Sequence, residues 1–96
     1  MNNEIEREIA ASKKTVILDF HAKWCEPCKK MGPVLEDLER QYGGMVKVIK
    51  VDVDVSPEVS DHYSVMSVPT LIFFKNGELT NRISGAAARE KLLEMI

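Results

Sequence analysis

The sequence predicts an α/β domain: a central mixed four-stranded sheet flanked by four helices, in the order αβαβαββα. Two patterns support this. The β-branched and apolar run Thr15 to His21 precedes apolar residues at helical spacing (Met31, Val34, Leu35, Leu38, Tyr42), and a second apolar run spans Met45 to Val53. Strand, helix, strand in that order make a right-handed βαβ unit with parallel strands. Two further runs, Pro69 to Phe74 and Leu79 to Ser84, flank Lys75-Asn76-Gly77-Glu78, and Asn-Gly between strands is the strongest short hairpin signal.

Each element has its own local reason. Asn3-Glu4-Ile5-Glu6 resembles a capping box with Asn3 as N-cap, and Ile5 and Ile9 share a face of a helix expected from about Glu4 to Ser12. Lys13-Lys14 place positive charge at its C-terminal end. In the strand Thr15 to His21 both faces, Val16/Leu18/Phe20 and Ile17/Asp19/His21, are largely apolar, which fits a central strand covered on both sides. The second helix is expected from about Cys25 to Gln41, with a kink at Pro33 and an end at Gly43-Gly44. Ser56-Pro57 opens a short helix through about Tyr63. From about Ala86 a last helix presents Leu92, Leu93 and Ile96 to the sheet.

The chain of 96 residues allows one domain, residues 1–96. With 13 basic and 15 acidic residues interspersed, the net charge of −2 offers no basic face for nucleic acid and no polybasic arm for a membrane. The start Met1-Asn2-Asn3-Glu4 is polar and acidic where a signal peptide would be basic and then apolar, and no run approaches membrane-spanning length, so a cytoplasmic location is expected.

Both cysteines fall in Trp24-Cys25-Glu26-Pro27-Cys28-Lys29, at the turn from strand to helix. A pair so close in sequence staples nothing distant, so its role is chemical. At a helix N-terminus the unpaired N–H groups and the helix dipole favour the thiolate, as nucleophilic sulfur chemistry requires. Structural cysteines or half a zinc site are the alternatives. The other half would need two more ligands, and only His21 and His62 exist, at no recognised ligand spacing.

A C-x-x-C at this place in a βαβ unit is the thioredoxin-like redox signature. Val16-Ile17-Leu18-Asp19-Phe20, Ala22-Lys23-Trp24-Cys25-Glu26-Pro27-Cys28-Lys29, Pro33, Lys50-Val51-Asp52, Ser67-Val68-Pro69-Thr70, Phe74-Lys75-Asn76-Gly77 and Gly85 resemble thioredoxin landmarks in order and spacing, from about Thr15 to the end. The resemblance implies a thioredoxin fold lacking the usual extra N-terminal strand. It also implies a protein-disulfide reductant with no cofactor beyond a redox-active Cys25–Cys28 disulfide. The expected partners are a thioredoxin reductase-type electron donor and disulfide-containing proteins, and the expected state is a monomer.

Cys25 is then the nucleophile and Cys28 the resolving thiol, expected to be the more buried of the two. A carboxylate in a strand covered on both faces loses hydration, so Asp19 should titrate high; by resemblance it takes the proton from Cys28, with Lys50 near it moderating its charge. A solvent-facing strand residue is the alternative for Asp19, and an ordinary exposed lysine for Lys50. By resemblance Pro69 follows a cis bond after Val68, lies against the cysteine pair and leaves the Val68 backbone free for an extended substrate, unless it is a trans proline merely starting a strand. Trp24 shields the pair and docks substrate unless it is a core residue, Pro27 restricts the turn, and Gly85 offers a flat approach unless it merely starts a helix. Glu26 and Ser67 stand where the family often has glycine, and His21 where it often has an aromatic residue or serine; these bear on potential and partner choice. The competing functions are a thiol oxidant or disulfide isomerase, and a non-enzymatic thioredoxin-fold binding module.

Overall fold

The computed structural model describes residues 3–96, Asn3 by its backbone only. Eight elements follow one another: α1 (Asn3–Ala11), β1 (Thr15–His21), α2 (Glu26–Gln41), β2 (Val46–Asp52), α3 (Pro57–His62), β3 (Thr70–Lys75), β4 (Glu78–Ser84) and α4 (Arg89–Leu93). The four strands form one mixed sheet in the order β2-β1-β3-β4, with β1 parallel to β2 and antiparallel to β3, and β3 antiparallel to β4.

Strand β1 is central for the reason its composition suggested. Its even residues Val16, Leu18 and Phe20 pack with Ile5 and Ile9 of α1, Val59 of α3, and Val51, Ile72 and Phe74. Ile17 faces the opposite layer with Met31, Leu35 and Leu38 of α2, Leu92 of α4, and Val46, Leu71 and Phe73. Two apolar layers thus sandwich the sheet, with α1 and α3 on one side and α2 and α4 on the other. The β3–β4 turn places Asn76 at φ 52° and Gly77 at φ 82°, the paired left-handed residues that match the twist of a tight hairpin.

Three boundaries differ from expectation. Helix α1 already includes Asn3, and the capping interaction expected of the Asn3 side chain lies outside the described residues. Helix α2 starts one residue later than expected, at Glu26, with Cys25 as its N-cap, and includes Pro33 in its interior. The last helix does not begin at Ala86: Gly85 has φ 95° and Ala88 is extended (φ −71°, ψ 152°), so α4 is only five residues long. Alanine's helix propensity loses here to the need to carry the chain from the end of β4 across to the other face of the sheet. The expected apolar contacts survive, with Leu92 fully buried and Leu93 and Ile96 partly buried against the same layer.

Candidate active site

The site sits where β1 hands over to α2. Cys25 has extended backbone angles (φ −90°, ψ 110°) and caps the helix with its own sulfur, which accepts the Cys28 N–H at 3.2 Å. Its N–H donates to the Ala22 carbonyl, and its carbonyl accepts from Lys29 N–H, so the turn is tied on both sides. Pro27 falls in the first turn, where a missing N–H costs nothing. Cys25 and Cys28 form a disulfide with Cα atoms 5.3 Å apart.

Both cysteines are covered, with 4% of Cys25 and 6% of Cys28 exposed, in a small cluster with Ala22 against which Val53 and Val68 pack. The burial asymmetry expected between the two is therefore absent in the oxidised pair, because the bond holds both sulfurs under the same cover.

Beside Cys28 a groove of about 500 Å³ opens between α2 and the end of the sheet, lined among others by Asp19, His21, Cys28, Gly32, Glu36 and Lys50. Asp19 is 3% exposed and its Oδ1 meets no hydrogen-bond partner among the described residues. Burial pushes its carboxyl above the ordinary range, while the charges of His21 and, secondly, Lys50 pull it back. Lys50 stands opposite Asp19 in the β1–β2 register. Its ammonium is exposed and bonds Glu36 Oε1 at 2.8 Å, a bond that raises the Lys50 pKa and lowers that of Glu36. Lys50 thus acts on Asp19 through space, from an ion pair with α2.

On another side of the cysteines lies an apolar rim. Trp24 is 68% exposed, not a core residue, and its indole N–H donates to Asp54 Oδ2 at 2.9 Å. With Val53, Val65, Met66, Ser67 and Val68 it lines a shallow hollow of about 140 Å³, and Met66 is 93% exposed. The Val68–Pro69 bond is cis, Val68 packs against the cysteine cluster, and the Pro69 carbonyl accepts the Gly85 N–H at 2.8 Å. Gly85 does not start a helix. Its φ of 95° suits glycine, and a Cβ there would meet nothing within 4 Å, so the space beside it is open. Glu26 is exposed and paired with Lys29 at 3.0 Å.

The structure therefore gathers Cys28, Asp19 and Lys50 around one groove, with Cys25 bonded to Cys28 behind it and Trp24 and Val68 at the apolar rim. Glu36, Asp54 and Met66 were missed in the sequence. Glu36 had a legible signal, since Cys28, Gly32 and Glu36 recur one helical turn apart and so share a face of α2. Asp54 had none, its partner being thirty positions away.

Comparison with known proteins agrees with this geometry. The family model described as Thioredoxin matches residues 1–96. The chain is 42% identical over 85 residues to the thioredoxin of Bacillus subtilis, covering 88% of this chain and 82% of that one. It is 41% identical over 95 residues to a thioredoxin of Staphylococcus epidermidis, covering 99% and 89%. Among solved structures, oxidised mitochondrial thioredoxin 3 of Saccharomyces cerevisiae superposes with a TM-score of 0.85 at 35% identity, over 96% of this chain and 84% of that one. A second similar chain, with a TM-score of 0.87 at 33% identity and coverage of 98% and 86%, comes from a study of thiol resolution in a yeast mitochondrial 1-Cys peroxiredoxin via glutathione/thioredoxin systems.

Proposed function

The chain belongs to the thioredoxin family and is a protein-disulfide reductant, and from that premise we propose how its residues divide the work. The Cys25 thiolate attacks one sulfur of a substrate disulfide, breaking that bond, releasing one substrate thiolate and forming a mixed disulfide. Cys28 then gives its proton to the Asp19 carboxylate and attacks Cys25 Sγ. The second substrate thiolate leaves, so the two electrons end on the substrate sulfurs and the Cys25–Cys28 pair is left as its two-electron-oxidised disulfide. A reductase-type donor resets the pair.

The observation that carries this reading is the Cys25 sulfur accepting the Cys28 N–H at the first turn of α2. The same donor and the dipole behind it favour negative charge on that sulfur once the disulfide opens. Asp19, buried and raised by desolvation, suits a proton acceptor that must also let go near neutral pH. Trp24, Val68, Pro69 and Gly85 form the substrate face, and Glu26 and Pro27 border it. The protein acts as a monomer in the cytoplasm, where target disulfides are transient. Peroxidases with an oxidised cysteine are one target class, suggested by the setting of the similar yeast chain.

Trapping tests the assignment. Cys28→Ser should accumulate mixed disulfides between Cys25 and cellular proteins, released by dithiothreitol and identified by mass spectrometry. Adducts that persist in a Cys25→Ser, Cys28→Ser double variant, or none in the single variant, would refute it.

A further inference from the structure

The groove beside Cys28 holds an ionisable group that the exchange reaction, as described, does not use. His21 lies two residues beyond Asp19 on the same face of β1, about 6.6 Å along the strand, and lines the same groove as Asp19 and Cys28. It is half-buried where Asp19 is covered. Its imidazole meets no hydrogen-bond partner among the described residues, whereas His62, the other histidine, is paired with Glu6. The buried acceptor and the half-exposed imidazole therefore line one groove with the reacting thiol, the imidazole being the more open to water of the two.

We propose that His21 is a positioning residue for the proton, receiving from Asp19 what Cys28 gives up and passing it to solvent. The proposal rests on the role given above to Asp19. The proton balance is closed: Cys28–SH loses H⁺ to the Asp19 carboxylate, Asp19 passes it through a bridging water to an imidazole nitrogen, and the imidazolium releases it to bulk water. No other bond changes. Histidine suits the task because its two ring nitrogens can take a proton on one side and give one up on the other. The charges facing the groove set the direction. Lys23 and Lys29 border it, Lys50 reaches in from β2 while paired with Glu36, and Asp52 is the register partner of His21. When the proton reaches His21, Asp19 returns to its anionic form beside a new cation, whose attraction opposes the larger effect of burial that raises the Asp19 carboxyl.

The test uses the reduced protein and a chromogenic aryl disulfide in single turnover, where the first thiolate released reports attack by Cys25 and the second reports resolution by Cys28. His21→Ala should slow the second release about tenfold at pH 7, below the ~100-fold or more of a group that takes the proton directly. It should also lose the limb of the pH profile that titrates near neutrality, and added imidazole should restore the rate. His21→Asn, which keeps a polar side chain in place, should be slowed alike. A wild-type second phase in both variants between about pH 5.5 and 8.5, or a slowed phase that imidazole leaves unchanged, overturns the proposal. Asp19→Asn run in parallel separates the two readings: an unaffected second phase there sinks the assignment of Asp19, whereas dependence on Asp19 with indifference to His21 sinks this inference alone.

Discussion

Glu26 places a negative charge one residue from Cys25, where it opposes a thiolate, but its carboxylate is bonded to the Lys29 ammonium at 3.0 Å and both side chains are more than half exposed. Solvent and the ion pair screen what reaches the sulfur. Glu26→Gly should accordingly move the redox potential by less than about 30 mV, or ~1.4 kcal/mol for a two-electron couple. Equilibration with glutathione measures it, and a shift several times larger would show that the pair screens less than claimed. At this scale the sequence was most legible where chemistry is local. The cysteine spacing, the helix start and the desolvated Asp19 all follow from short stretches. Asp54 bonding Trp24, and the ion pair that occupies Lys50, depend on how separate elements meet and leave no local trace.

Elements were legible where pattern and tertiary need agree, as in β1, whose limits matched, and in the Asn76-Gly77 hairpin. They were misread where the two conflict. Ala86 to Ala88 favour helix by composition, yet the crossing from β4 requires extended backbone there. What remains of α4 hangs on Leu92, its one fully buried residue. Leu92→Ala should therefore cost about 2–5 kcal/mol in urea unfolding, and a loss under about 1 kcal/mol would mean that α4 packs too weakly to matter. The outer strand β2 is protected by another element: Val48 N–H donates to Glu39 Oε2 of α2 at 2.8 Å. A side chain thus occupies a donor that an incoming strand would otherwise find.

Across the whole molecule, Asp19 links the active site to stability. Its folded-state pKa lies above the ordinary 3.8, so the folded form binds that proton more tightly than the unfolded form. Stability is then lost, not gained, as pH rises from 3.8 to the raised value, and the loss stays constant above it. Asp19→Asn lacks this penalty. It should be more stable than the parent at pH 8 by about 1 kcal/mol or more, with the advantage shrinking toward pH 4; thermal melts at both pH values check this, and a variant less stable at pH 8 would contradict it. The fold carries a cost at the residue proposed to take the proton.

Strand β1 is paired along both edges and covered on both faces. Its amide protons can therefore meet deuterium only when the entire domain opens. The cysteine turn is moored to one of the two interior strands of the sheet, so repeated oxidation and reduction should leave the exchange clock of β1 running within the limits that global unfolding sets.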